Sequence, residues 1–321
     1  DELSYDKFHQ NASSLYRVEE DQHYSGRLFH VTVTPYPLGP ALKEEIPEIA
    51  DASRFVFAGS NLLRYGDNAF YENNGYAVDP SFFKMFSFPV LKGDKNTFLD
   101  TPYSLVVSEE IAEKYFGTEN SLGKVILLNN QHEFTVTGVV KKVPHNSSIQ
   151  FDMLIPYEFL RKEGKTRESD FGSNSITTYV QLKENVSHSQ ANEKIFGFIR
   201  TKRPQSRTDL VLMPLSRIHL YAYFGYEKTM GAIQYVYIFS IIAFFVLLIA
   251  CINFMNLATS RSAGRAKEVG LRKVVGAQRA QLIRQFLSES ILTAVISLSV
   301  SYTHLRAHET VLDLVCRLLL E

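Results

Sequence analysis

Tryptophan is absent from the 321-residue chain, and cysteine occurs twice, at Cys251 and Cys316. Cys251 lies inside a long apolar run, so the stretch before that run has no disulfide framework and does not rely on an oxidising compartment. The formal net charge is zero, and nothing in the balance points to nucleic acid as a partner. No glycine-rich loop ending in Gly-Lys-Ser/Thr occurs, which excludes ATP hydrolysis by this chain itself. HExxH and GxSxG patterns are also missing, so no zinc-hydrolase or serine-hydrolase site is expected. His9, His23, His30, His132, His145 and His219 are scattered without helical pairing and read as surface or packing positions. No metal or cofactor is expected. Glu19, Glu20 and Asp21, like Glu44 and Glu45, read as solvated faces. No signal peptide opens the chain, which starts at Asp1 without Met and is expected to be truncated there.

What dominates the chain is the segment 233–257, IQYVYIFSIIAFFVLLIACINFMNL, which carries no Asp, Glu, Lys or Arg. A bilayer core of about 30 Å needs roughly 20 apolar residues in a helix. Backbone polar groups in hydrocarbon must be satisfied within the segment, so the run reads as a membrane-spanning helix. Arg261, Arg265, Lys267, Arg272, Lys273, Arg279 and Arg284 follow it, with Glu268 the only acid among them, whereas Lys228 before it is offset by Glu227. The positive-inside rule makes the basic side cytoplasmic and the preceding domain extracytoplasmic. Tyr221, Tyr223, Phe224, Tyr226, Tyr235 and Tyr237 gather at the outer end, where amphipathic rings favour the headgroup layer.

Upstream, helix and strand patterns alternate. A short helix is expected over 4–15, with Ser4 or Asp6 as its cap and Tyr5, Phe8, Ala12 and Leu15 on one face. Strands are expected over 16–20, 28–33, 54–57, 70–76, 104–107, 124–128, 133–140, 151–155, 177–182 and 211–215. Asp79 followed by Pro80 predicts a capped helical turn, whose Phe82, Phe83, Met85, Phe86 and Phe88 form an aromatic knot destined for the core. Ser108 and Gly117 bracket a helix, further helices are expected over 41–46 and 189–199, and 161–173 reads as a loop. The mixture, rich in antiparallel signals, is α+β. The expected organisation is an α+β extracytoplasmic domain over 1–228, with an inserted subdomain at about 53–160, joined to an α-helical transmembrane segment at 231–258.

Four segments then carry a resemblance: DELSYDKFHQNASSLYRV, DPSFFKMFSFPVLKGD, SLVVSEEIAEKYFG and ACINFMNLATSRSAGRAKEVGLRKVVGAQRAQLIRQFLSES. Together they resemble the MacB/FtsX-like permeases of ABC transporters, in the Bacteroidetes-type form with a MacB-like periplasmic core domain. The resemblance implies an inner-membrane subunit that works as a homo- or heterodimer with a separate ABC ATPase and, in places, a periplasmic adaptor. Such permeases pass ATP-driven motion to the extracytoplasmic domain, and substrates across the family include drugs, peptides and lipoproteins. It also implies a missing first span before Asp1, a cytoplasmic coupling segment at 259–284 and the start of another span at 285–299. Arg265, Lys267, Glu268, Leu271, Arg272, Lys273 and Val274 are the residues implied in ATPase docking.

The residues themselves fit that role without requiring it. The stretch 263–285 can run as an amphipathic helix interrupted near Gly270 and Gly276, with Val269, Leu271, Val274 and Val275 on its apolar face. Such a helix lies on a membrane surface or in a partner's groove, or its basic residues merely hold the loop inside. Asn253 and Asn256 either bond between helices or mark the watery end of the span. From Val300 the chain stops looking like the family: VSYTHLRAHE and LVCRLLLE match the translation of a transposase-end sequencing adapter around a barcode. Residues 300–321 are therefore set apart from function, and His304, His308 and Cys316 are not a metal cluster. Two rival classes are a membrane-anchored extracytoplasmic sensor and an anchored enzyme. A sensor would follow its span with a long heptad linker, whereas renewed apolarity begins here at Phe286.

Overall fold

The computed structural model describes residues 2–226 and 231–318. Glu227 and Lys228, counted above at the outer flank, lie outside the described residues, as do the side chains from 308 onward, Cys316 among them. The chain divides into two compact units, Asp1–Ile238 and Phe239–Glu321.

The first unit is built on one 14-stranded sheet. From one edge its strands run Thr208–Pro214, Leu15–Tyr24, Asn174–Leu182, Ile49–Phe57, Gly75–Val78, Met153–Pro156, Ser104–Ser108, His132–Val140, Val125–Leu128, Asn61–Tyr65 and Asn68–Glu72. Arg27–Val31, Thr34–Pro35 and Val90–Lys92 pair beside this path. Only Gly75–Val78 with Met153–Pro156, and Ser104–Ser108 with His132–Val140, pair in parallel among the described strands. Residues 61–156 supply the far half of the sheet, joined to the near half where Phe55 on Ile49–Phe57 faces Val78 and Phe57 faces Tyr76.

The aromatic knot is core, as expected. Phe82, Phe83, Met85, Phe86 and Phe88 are all buried, and Phe98, Phe151 and Tyr179 close around them. The rings meet edge-on or offset, as their quadrupoles favour: Phe83 and Phe98 sit 5.0 Å apart at 86°, Phe88 and Phe151 5.0 Å apart at 82°. The packing leaves no room at Gly138, where a Cβ would come within 2.4 Å of the Phe98 ring. The Glu109–Phe116 helix forms as its ends predict. The Ser108 hydroxyl accepts from Ile111 N, and Gly117 closes it at φ +58°.

Three expectations need correction. Residues 4–15 are not one helix but two short 3-10 turns, Glu2–Ser4 and Ala12–Ser14. Long-range bonds hold the segment open. Asp6 takes φ +58° and its buried carboxylate accepts from Ser148 N at 2.8 Å, while His219 stacks on Tyr5 and pairs with Glu2 at 2.6 Å. Asp79 does not cap with its side chain; its carboxylate instead accepts from Arg54 N, Nε and Nη2 at 2.8, 2.9 and 2.7 Å. The Phe82–Met85 helix follows Ser81 without a side-chain cap. Finally, Glu19 and Glu20 are buried, because Arg17 and His30 reach the first and Gln22 and Asn174 the second.

Among the described residues two helices, over Ile233–Arg261 and Arg279–Ala307, are long and apolar enough to cross a membrane. The full helices are Ile233–Gly264 and Arg279–Leu318, with the short Ala266–Val274 helix between them. Gly270 does not interrupt that short helix; the Glu268–Arg272 pair, four residues apart, bridges it. The breaks fall at Arg265 and at Gly276, which takes φ +98°.

Two stability measurements follow. Phe82→Ala removes a fully buried ring and is expected to cost about 3–5 kcal/mol in a denaturant titration of the chain. Burial pushes the Glu20 carboxyl up to about 7 against the lowering hydrogen bonds of Gln22 and Asn174. A raised carboxyl means that the folded state holds its proton longer than the unfolded state, so stability falls from about pH 4.5 to pH 7 and then levels. Glu20→Gln keeps an acceptor for both amides and should flatten that slope and raise the melting temperature above pH 7.

Candidate functional site: a short basic helix between two apolar helices

The basic block is built by its breaks. Helix Ile233–Gly264 ends where its apolar run gives out, the chain turns at Arg265, and Ala266–Val274 forms the next helix. Val275 N and Gly276 N then bond back to Leu271 O and Lys273 O and close it.

Arginines fasten this helix to the one that follows. The Arg265 guanidinium forks onto Glu289, Nη1 to Oε2 at 2.7 Å and Nη2 to Oε1 at 3.0 Å. Arg272 donates Nη2 to Glu268 at 2.5 Å and Nη1 to Gln285 Oε1 at 2.7 Å. Gln285 and Glu289 are four apart on Arg279–Leu318, hence one turn apart on one face. Both anchors are solvent-accessible here, so their value lies in geometry more than in strength.

The seven residues implied in docking thus divide. Arg265, Glu268 and Arg272 brace the block, whereas Lys267, Leu271, Lys273 and Val274 are displayed on it. Leu271 is 72% and Val274 88% exposed, and Val275 beside them is 83% exposed. Lys267 and Lys273 make no ion pair among the described residues. An uncovered apolar strip flanked by two lysines can enter a hydrophobic groove with an acidic rim. Sequence reasoning missed Gln285 and Glu289; their signal was a polar pair four apart at the start of an apolar helix. Asn253 and Asn256 form no side-chain hydrogen bond to a neighbouring helix among the described residues. No group of three metal-ligating side chains occurs among the described residues.

In sequence, the mixed-sheet domain is followed by two span-length helices with a braced basic helix between them. Residues 2–196 match the MacB-like periplasmic core domain, and residues 240–307 match the FtsX-like permease C-terminal region. The chain belongs to this family of ABC transporter permeases. It is similar to the macrolide export ATP-binding/permease protein MacB of Aggregatibacter actinomycetemcomitans, 28% identical over 247 residues, covering 74% of this chain and 36% of that protein. It is also similar to the ABC transporter permease YknZ of Bacillus subtilis, 25% identical over 192 residues, covering 60% of this chain and 45% of that protein. The chain spans about a third of the MacB relatives it matches. The fold is shared with a permease-protein domain from Porphyromonas gingivalis, with TM-score 0.56 and 22% identity over 65% of this chain and 92% of that one.

Because Leu271 and Val274 are largely exposed, Leu271→Gln with Val274→Gln should leave unfolding stability within about 0.5 kcal/mol of the parent. Glu289→Ala, by contrast, should raise hydrogen exchange across 266–274, because it removes one of the two braces.

Proposed function

We propose that this chain is the permease part of an ABC transporter. In this reading a separate ATPase subunit docks on the 266–274 block, and its ATP-driven motion passes to the extracytoplasmic domain for export or envelope transport. The observation that carries the reading is the displayed strip of Leu271, Val274 and Val275, held on a helix that is itself braced. YknZ is named a permease alone, which fits an ATPase on another chain. Residues 1–228 are then extracytoplasmic, 231–258 cross the inner membrane, 259–284 form the cytoplasmic coupling segment, and 285–299 begin the next crossing. Residues 300–321 stay outside the function. The working unit is a homo- or heterodimer of permeases in the bilayer, and a periplasmic adaptor would meet the head. The sensor reading is less apt, since a second span-length helix follows the basic block at once.

Reversing Arg272 and Lys273 to Glu should weaken co-purification of the ATPase. Arg272 is also a brace, so Lys273→Glu with Leu271→Gln isolates docking from folding. That pair should reduce the captured ATPase about tenfold, corresponding to ~1.4 kcal/mol, while the thermal melt stays put. Undiminished capture would count against the docking role.

A further inference from the structure

The buried charges of the first hairpin take no part in that reading. His30 on Arg27–Val31 faces Asp21 on Leu15–Tyr24 in register. Its ring is 3% exposed, and its two nitrogens meet two carboxylates: Nδ1 lies 2.6 Å from Asp21 Oδ1 and Nε2 2.8 Å from Glu19 Oε2. A neutral imidazole has one N–H, so one nitrogen would turn a lone pair onto a carboxylate oxygen. With both carboxylates ionised, both nitrogens must donate, which makes His30 an imidazolium. Arg17 donates Nε to the other oxygen of Glu19 at 2.7 Å, so two cations balance two anions in the cluster.

This cluster has a passenger. The Tyr223 ring stacks on His30 at 4.1 Å and 19°. His30 N donates to Gly225 O and Gly225 N to His30 O, both at 2.9 Å. Phe29 packs on Phe224 and Tyr226, and the Arg27 guanidinium lies 4.7 Å over the Tyr226 ring. Residues 222–226 thus form a strap tied to the hairpin by the rings of Tyr223, Phe224 and Tyr226 and the backbone of Gly225, and in sequence it is the last described stretch before Gly231 and the long apolar helix.

We propose that the His30 cluster is a charge-dependent latch: the imidazolium, clamped between Glu19 and Asp21, holds the strap 222–226 on the first hairpin, and loss of its proton frees the strap. The groups facing His30 are Arg17, Glu19 and Asp21 from its partner strand, Asp209 in register with Asp21 from the next strand, and Tyr223 from the strap. Burial disfavours the imidazolium, but the bonds from Asp21 and Glu19 outweigh it and hold His30 up at about 9. A histidine raised in the folded state contributes stability in full below its ordinary value of 6.5, and loses it as pH rises through about 9. The latch is therefore shut at neutral pH. Its use as the grip by which the apolar helix pulls on the sheet rests on the permease reading, whereas the latch itself does not.

The chain has no tryptophan, so Tyr223→Trp creates a single reporter against the His30 ring in the full chain, studied in detergent micelles. A protonated imidazole quenches a stacked indole. Emission should be quenched near pH 7 and rise about twofold through a transition near pH 9, while the same reporter with His30→Gln should be bright and flat from about pH 6 to 10. Flat emission with His30 present, or a rise that coincides with loss of far-ultraviolet circular dichroism, would overturn the latch. Hydrogen exchange on the unsubstituted chain gives a second reading. After correction for intrinsic rates, strap protection should vanish above about pH 9 while Asn174–Leu182 stays protected. Strap protection indifferent to pH would overturn the proposal equally. Neither measurement involves an ATPase, so failure here leaves the permease reading untouched, and the reverse.

Discussion

A backbone amide that cannot reach water must find its partner in the protein, and each part of this chain answers that demand differently. In the apolar segment the answer is local: the charge-free run 233–257 bonds to itself within the helix Ile233–Gly264. The helix persists for 32 residues and ends as arginines and small residues return. Everything distinctive about the basic block follows from that ending. The chain is free to turn at Arg265 and again at Gly276, and a short helix forms between the turns. Side chains then do what the backbone no longer does, with Arg265 and Arg272 tying that helix to Glu289 and Gln285.

In the head the answer is lateral. Fourteen strands share one sheet, and the near and far halves meet at Ile49–Phe57 and Gly75–Val78. The aromatic knot packs by this seam, with Phe55 and Val78 among its neighbours. The cost of covering polar atoms appears where acids are drawn inside. Buried Glu19 and the half-buried Asp21 and Asp79 are each matched by a cation within hydrogen-bond reach, which offsets the cost of drawing a carboxylate out of water. Glu20 has amide donors in place of a cation; burial holds its carboxyl upward, and the two amide hydrogen bonds offset that only in part.

What the sequence displayed and what it hid separate along one line, the distance over which a residue's fate is decided. The apolar run, the Ser108 and Gly117 ends of a helix and the burial of the Phe82 to Phe88 rings are decided within a turn or two, and all were legible. Asp79 looked like a cap because its local sequence allows one, yet Arg54, 25 residues away, claims its carboxylate. Residues 4–15 had a helical stripe, but Ser148 and His219 hold them open from across the domain. Glu19 and Glu20 looked solvated because the partners that bury them include Asn174, 154 positions beyond Glu20. At the basic block the charges were legible, but their division into braces and displayed residues was not. That division depends on where the following helix places Gln285 and Glu289.

The spacing of those two anchors has a mechanical meaning. One tether would let the short helix swivel about a point, and two tethers one turn apart fix its direction as well as its position. In the proposed docking role, a load applied at Leu271 would be delivered to the next helix as torque, not dissipated in the linker. A loose hinge at this place would serve only to register contact; under the proposed coupling, the doubly pinned arm would act as a crank.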